Sequence, residues 1–170
     1  MTLRPLQDSD YPVLEDWVQI PDVCQQLEYE APPNRHELKV AVLGRQFELL
    51  MIQGDAQPVG FFLVYFRGLV AHRSREFDIA VPAKVQRQQG LAQAAIRALE
   101  HWAFDEQGLV GVWAKIFADN HPCLELVRAC GWPRSATVER AYPVGDALRD
   151  VVFTWMTPEI RATLKQRRGF

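Results

Sequence analysis

The chain has 170 residues, of which 48% are apolar and 24% charged, with a formal net charge of −2 at pH 7. These values describe one domain's worth of globular protein with enough apolar material for a sizeable core. They speak against a membrane span, which takes about 20 consecutive apolar residues, and against a nucleic-acid binder, which needs clustered Lys and Arg.

Leu3 to Leu6 reads as a short strand, and Asp8 or Ser9 can cap the helix that follows, with Tyr11, Leu14, Trp17 and Val18 as its buried stripe. Pro21 ends that helix. A second is expected from Asp22 to about Glu28, then a turn at Glu30-Ala31-Pro32-Pro33-Asn34 and a third helical piece from Arg35 to Gly44. Residues 1–37 hold eight Asp and Glu against Arg4 and Arg35, a local net of 2 − 8 = −6 that leaves the remainder at +4.

Phe47 to Gln53 and Pro58 to Phe66 are joined by Gly54-Asp55-Ala56-Gln57 and predict an antiparallel hairpin. Its second arm is apolar at nearly every position, as a strand covered on both faces would be. The polar stretch Arg67 to Arg75 leads into Glu76 to Val81, where Phe77, Ile79 and Val81 alternate with Asp78 and Ala80. Val110 to Phe117 is strand-like, and His121 to Cys130 helical, closed by Gly131-Trp132. Thr137 to Tyr142 and Asp150 to Met156 predict a last pair of strands about the turn Pro143-Val144-Gly145-Asp146, before a basic tail that starts at Pro158 as a short helix. No repeat or linker interrupts the chain, so a single domain over residues 1–170 is expected. The opening Met1-Thr2-Leu3-Arg4-Pro5 lacks the apolar segment of a secretion signal, which makes the cytoplasm the expected location. Cys24, Cys123 and Cys130 are odd in number and lack metal-ligand spacing, so they read as reduced thiols, with no disulfide framework and no metal site.

Between the Glu76 to Val81 strand and the next helix lies Val85-Gln86-Arg87-Gln88-Gln89-Gly90-Leu91-Ala92. In the helix, Leu91, Ala95, Ala98, Leu99 and Trp102 share one face, while Gln93, Arg97 and Glu100 fall on the other. A strand that turns into a helix start offers unpaired N–H groups and the positive end of the helix dipole, an anion site that Gly90 leaves open to close backbone approach. A simple turn into a helix is the competing reading of this stretch alone. Arg87-x-x-Gly90-x-Ala92, followed by Asn120-x-x-Cys123-Leu124-x-Leu126-Val127-Arg128-x-Cys130-Gly131-Trp132, resembles the acyl-CoA core of the GCN5-related N-acetyltransferases, the GNAT superfamily. Leu3-Arg4-Pro5 with Asp10 and Trp17 is similar to the superfamily's opening strand and helix. The early Trp with Pro-Asp-Val, and Arg149-Asp150 near the last strand, are most similar to two branches: the acetyltransferases of ribosomal-protein N-termini (RimJ/RimL-like) and the aminoglycoside 6'-N-acetyltransferases.

The resemblance implies an α/β (α+β) fold, a mixed and mostly antiparallel sheet of six or seven strands flanked by helices, with splayed parallel strands at the acyl-CoA site. It also implies acetyl-CoA as cosubstrate, no metal, and direct attack by a primary amine in a ternary complex, from a monomer or homodimer that binds neither nucleic acid nor membrane. The donor would lie on the backbone of Ile79, Ala80 and Val81 and on Arg87, Gln88, Gln89, Gly90, Leu91 and Ala92, with Asn120 and Arg128 beside it. One strand amide, that of Val81, would point at the thioester oxygen, and Arg87 would serve the phosphates.

Glu76 and Asp78 are the candidate bases. A carboxylate with a reference pKa of about 4.3 must act on an ammonium through water or be raised by burial, and the alternative is an ordinary charged residue on a strand's solvent face. Many relatives place a Tyr acid where this chain has Val127, so Cys123 and Tyr142 are the candidate acids, against Cys123 as a small buried residue or no protein acid at all. The acidic first segment favours a cationic amine as acceptor, either a small molecule or a peptide N-terminus, with Trp17 and Tyr29 available for cation–π contact; solvated surface helices are the competing account. A catalytically weak acyl-CoA-binding or sensing module of the same fold is the alternative function. A Rossmann-type nucleotide site is disfavoured, since Arg87-x-x-Gly90-x-Ala92 is not Gly-x-Gly-x-x-Gly.

Overall fold

The computed structural model describes residues 1–27, 31–44, 47–65, 73–82 and 90–168. Seven strands form one mixed sheet in the order β1-β2-β3-β4-β5-β7-β6, flanked by helices. The strands are β1 (Thr2–Pro5), β2 (Phe47–Gln53), β3 (Pro58–Tyr65), β4 (Ser74–Ala80), β5 (Gly111–Phe117), β6 (Arg134–Val144) and β7 (Ala147–Met156). The helices are α1 (Tyr11–Val18), α2 (Pro21–Gln26), α3 (Arg35–Leu43), α4 (Leu91–His101), α5 (His121–Cys130) and α6 (Pro158–Arg168).

The chain divides into two compact units. In the first, residues 1–67 and 77–98, β1 and β3 pair antiparallel on either side of β2. The apolar spacing of α1 to α3 closes one face of these strands, with Leu14, Val18, Leu38, Leu49, Met51 and Phe61 buried in one cluster. Trp17 packs on that cluster and stacks on Phe61, centroids 6.1 Å apart and planes 11° from parallel, so it serves the core. Asn34 caps α3, accepting from the His36 and Glu37 amides at 2.9 and 3.1 Å, while Glu37 reaches back to the Asn34 N–H at 2.8 Å.

In the second unit, residues 68–76 and 99–170, β7 pairs antiparallel with β5 and β6. Ser74–Glu76 pair in parallel with Gly111–Trp113, and the ladder has these three pairs although β4 runs on to Ala80 and β5 to Phe117. Parting of this parallel pair is what the sequence led one to expect. β4 starts at Ser74, two residues earlier than its alternation suggested, because the ladder to β5 takes in Ser74 and Arg75.

β6 is longer than expected. Its extra residues continue the hairpin to a tight turn, Val144 opposite Ala147, in which Gly145 adopts φ +56°. Three residues, 139–141, bulge opposite Asp150, and Arg140 sits at φ +48° with its N–H donating to the Asp150 carboxylate at 2.8 Å.

The start of the chain is clamped by one ion pair. Arg4 of β1 donates to both oxygens of Asp10 at 2.6 and 2.8 Å, and the Gln7 amide donates to the same carboxylate at 2.8 Å. The carboxylate is nearly fully buried, and the Arg4 guanidinium holds it below its ordinary pKa. A carboxylate depressed in the folded state contributes stability above its unfolded pKa, about 3.9, and loses it as pH falls through the folded value. Asp10→Asn is expected to cost about 1.5–3 kcal/mol at neutral pH. In urea melts the gap between parent and variant should close below pH 4; a gap unchanged down to pH 2 would contradict the pairing.

Candidate functional site

The candidate donor residues lie on β4 and at the start of α4. The first bond of α4 runs from the Ala94 N–H to the Gly90 carbonyl at 2.9 Å, so the amides of Leu91, Ala92 and Gln93 precede the helix's own ladder. These are the groups to which a phosphate is drawn. Gly90 adopts φ +91°, a conformation that strains any L side chain, and nothing lies within 4 Å of where its Cβ would stand. Gly90 therefore has a conformational reason for being glycine besides close approach of a ligand. Arg87, Gln88 and Gln89 lie outside the described residues. Ala80 and Val81 are buried and Ile79 is half-buried.

The candidate bases differ in setting. Glu76 is buried, 3% exposed, at the last parallel pair with β5, opposite Trp113, so an ordinary place on a solvent face does not describe it. Asp78 is half-buried and accepts a hydrogen bond from the Tyr65 hydroxyl at 2.8 Å. Tyr65 stands edge-on to Phe47, which fixes the donor's orientation.

At the end of β5, Asn120 caps α5, its side-chain oxygen accepting from the Cys123 amide at 3.2 Å. That bond uses the oxygen alone, and the Asn120 side chain retains amide donors of its own. Cys123 is half-buried in the first turn of α5, Val127 is buried in the core, and Arg128 is exposed, with its Nε 3.0 Å from Glu125. Tyr142 lies on β6, where the Lys115 ammonium is 3.5 Å from its ring centroid and Phe117 meets it edge-on. Arg149 crosses the Phe117 ring at 3.8 Å and pairs with Asp119, so Arg149 and Asp150 both serve the end of β5 and the β6 bulge.

Two features escaped sequence reasoning. Glu100, assigned by periodicity to the outer side of α4, is buried: it accepts from the Trp132 indole at 2.8 Å and faces Arg161 at 3.7 Å. A partner 32 residues away leaves no mark on helical spacing. Arg161 also chelates Asp105 at 2.7 and 2.8 Å, tying α6 to the π-helical turn Trp102–Glu106 and driving the Asp105 carboxyl far below its ordinary range. The second feature is Gly60 on β3, whose Cβ would stand 2.5 Å from the Ala80 carbonyl oxygen.

Residues 1–132 match the family model of the acetyltransferase (GNAT) domain. The chain belongs to the GNAT acetyltransferase family, and is thereby an acyl-CoA-dependent N-acetyltransferase with acetyl-CoA as cosubstrate. Its fold is similar to that of a spermidine N-acetyltransferase from Vibrio cholerae in complex with CoA and spermine, with a TM-score of 0.83, 16% identity, and 95% of this chain and 97% of that one covered. A ribosomal-protein-alanine N-acetyltransferase from Brucella melitensis gives 0.76 at 19% identity over 92% and 99%. A GNAT-family acetyltransferase from Bacillus anthracis gives 0.77 at 18% identity over 92% and 94%. No curated protein sequence matches the chain. Among the described residues no helix is long and apolar enough to cross a membrane, and no group of three or more His, Cys, Asp or Glu side chains forms a metal cage.

Gly90→Val should raise the CoA dissociation constant more than tenfold and lower stability by about 1–3 kcal/mol through backbone strain at φ +91°. Calorimetric CoA titration and thermal melts check both; a folded variant with parental CoA affinity would remove this glycine from the donor site.

Proposed function

We propose that this enzyme acetylates the primary amine of a cationic acceptor, a polyamine-like small molecule or a protein N-terminus, by direct attack on acetyl-CoA. The observation that carries the reading is the surplus of carboxylate over cation in residues 1–37, net −6. Part of it is committed: Asp10 to Arg4, Glu15 to Arg35 at 3.1 Å, and Glu37 to the α3 cap. Asp8 is exposed 3.9 Å from Lys39. Asp16 and Asp22 remain at partly or fully exposed positions on α1 and α2, and Glu28, Tyr29 and Glu30 lie outside the described residues. A cation approaching such a segment gains in encounter rate and orientation. The similar folds that act on spermidine and on a ribosomal-protein alanine support an amine acceptor of this kind.

In this reading the amides at the start of α4 hold the pyrophosphate, and Arg87 of the Arg87-x-x-Gly90 motif serves the phosphates. The edge of Ile79–Val81 holds the pantetheine arm, and the Val81 amide faces the thioester oxygen. Glu76 or Asp78 takes the ammonium proton through water, and Cys123 or Tyr142 returns a proton to the CoA thiolate. Asn120 and Arg128 border the donor.

The test is an acetyl-CoA turnover screen over polyamines, aminoglycosides, peptide N-termini, and neutral and acidic amines, read as released thiol. Cationic acceptors should turn over fastest, with kcat/KM falling as salt rises and falling several-fold in Asp22→Asn with Glu28→Gln and Glu30→Gln. Preference for a neutral or acidic amine, or rates indifferent to both salt and these changes, would overturn the proposal. Within the same assay, replacement of the true base should lower kcat by about 10²–10³ with CoA binding unchanged. Glu76→Gln and Asp78→Asn tell the two apart.

A further inference from the structure

Gly60 is approached closely by β4. A Cβ there would stand 2.5 Å from the Ala80 oxygen, 3.1 Å from a Val81 methyl and 3.2 Å from the Val81 Cα. Real Cβ atoms do not come within 3.0 Å of such an atom, and the obstacle here is backbone, which does not swing aside as a side chain does. Gly60 lies within β3, opposite Ile52 of β2, with apolar neighbours Phe61 and Phe62 buried on both faces. β3 therefore has no room to retreat.

The Ala80 carbonyl and the Val81 N–H belong to one planar peptide unit. Whatever tilts the carbonyl tilts the N–H by the same angle. Pro82 follows, which restricts Val81 to extended conformations and leaves the Ala80–Val81 peptide few ways to adjust. From this contact we infer that Gly60 is a positioning residue for catalysis: the absence of a side chain at Gly60 sets the plane of the Ala80–Val81 peptide, and with it the direction of the amide that meets the thioester oxygen. The inference rests on the donor placement proposed above and adds a residue that acts through the Ala80–Val81 peptide.

Three variants separate the possibilities. Gly60→Ala forces the peptide to turn. Gly54→Ala, in the same hairpin, meets a Val59 methyl at 2.9 Å and the Gln57 carbonyl oxygen at 3.1 Å and serves as the control, because it crowds the same hairpin at contacts that do not involve residue 80. Val81→Pro removes the N–H outright. The readouts are the carbon-13 resonance of acetyl-CoA labelled at its thioester carbonyl, bound against free, the CoA dissociation constant, and kcat with the fastest amine of the acceptor screen.

An N–H aimed at the carbonyl oxygen moves that resonance downfield on binding. In Gly60→Ala most of this displacement should vanish and kcat should fall about 10- to 100-fold, while CoA affinity stays within about threefold and Gly54→Ala keeps parental values. A folded Gly60→Ala with parental resonance and kcat would overturn the inference, as would equal losses of kcat and CoA affinity. If Val81→Pro alone abolishes the displacement, only the role of Gly60 falls; if Val81→Pro is parental, the donor placement itself falls. Should Gly60→Ala not fold, Gly60→Ala with Ala80→Gly, compared with Ala80→Gly alone, gives the backbone freedom to accommodate the methyl and is read by the same criteria.

Discussion

A parallel ladder of three residue pairs, Ser74–Glu76 against Gly111–Trp113, is the constraint on which the proposed donor site depends. Parallel strands need a crossover, and the return from β4 to β5 is made through α4. The helix after β4 in the chain begins at Leu91, and its first amides precede the helical ladder. The ladder ends at Glu76, while β4 continues for four residues, Phe77–Ala80. In the proposed reading the pantetheine arm of CoA, which carries amide groups, runs along this part of β4. The proposed anion site and strand edge thus share one topological origin.

The acidic first segment shows why net charge must be followed to individual side chains. Asp10 is an internal brace, its charge matched at 2.6 and 2.8 Å by Arg4. Glu37 closes a capping box, and Glu15 holds Arg35. Such pairs shape the helices and contribute little to the field beyond a Debye length of about 8 Å. The pull on a distant cation comes from the carboxylates left over, which include Asp22 at the exposed first turn of α2.

Much of this fold was legible in the sequence because its signals are local. α5 occupies His121–Cys130 as its spacing foretold, and Gly131 ends it at φ +87°. The β2–β3 hairpin follows alternation and turn residues, and Trp17 joins the core as a stripe residue should. The failures share a cause, which is dependence on partners distant in sequence. Glu100 is buried because Trp132 and Arg161 come to it. β6 lengthens because β7 pairs with it beyond the expected span, Arg134 opposite Thr154 and Val144 opposite Ala147. Gly60 reads as one more small residue in an apolar strand, and the tightness of its site is visible only in the fold, where a Cβ would stand 2.5 Å from the Ala80 oxygen. Among the site residues, Glu76 and Asp78 were legible as the polar side chains of β4, but burial of the first and the Tyr65 bond of the second were not.

The account's central claim is that the donor lies along β4 and ends on the first turn of α4. Backbone amide spectra of nitrogen-15-labelled protein, recorded through a CoA titration, test it most directly. The account predicts that the Gly90, Leu91 and Ala92 amides move most, followed by those of Ile79 to Val81, and that dephospho-CoA reproduces the same pattern because the pyrophosphate is retained. Saturating CoA that leaves these amides in place while others shift would contradict it.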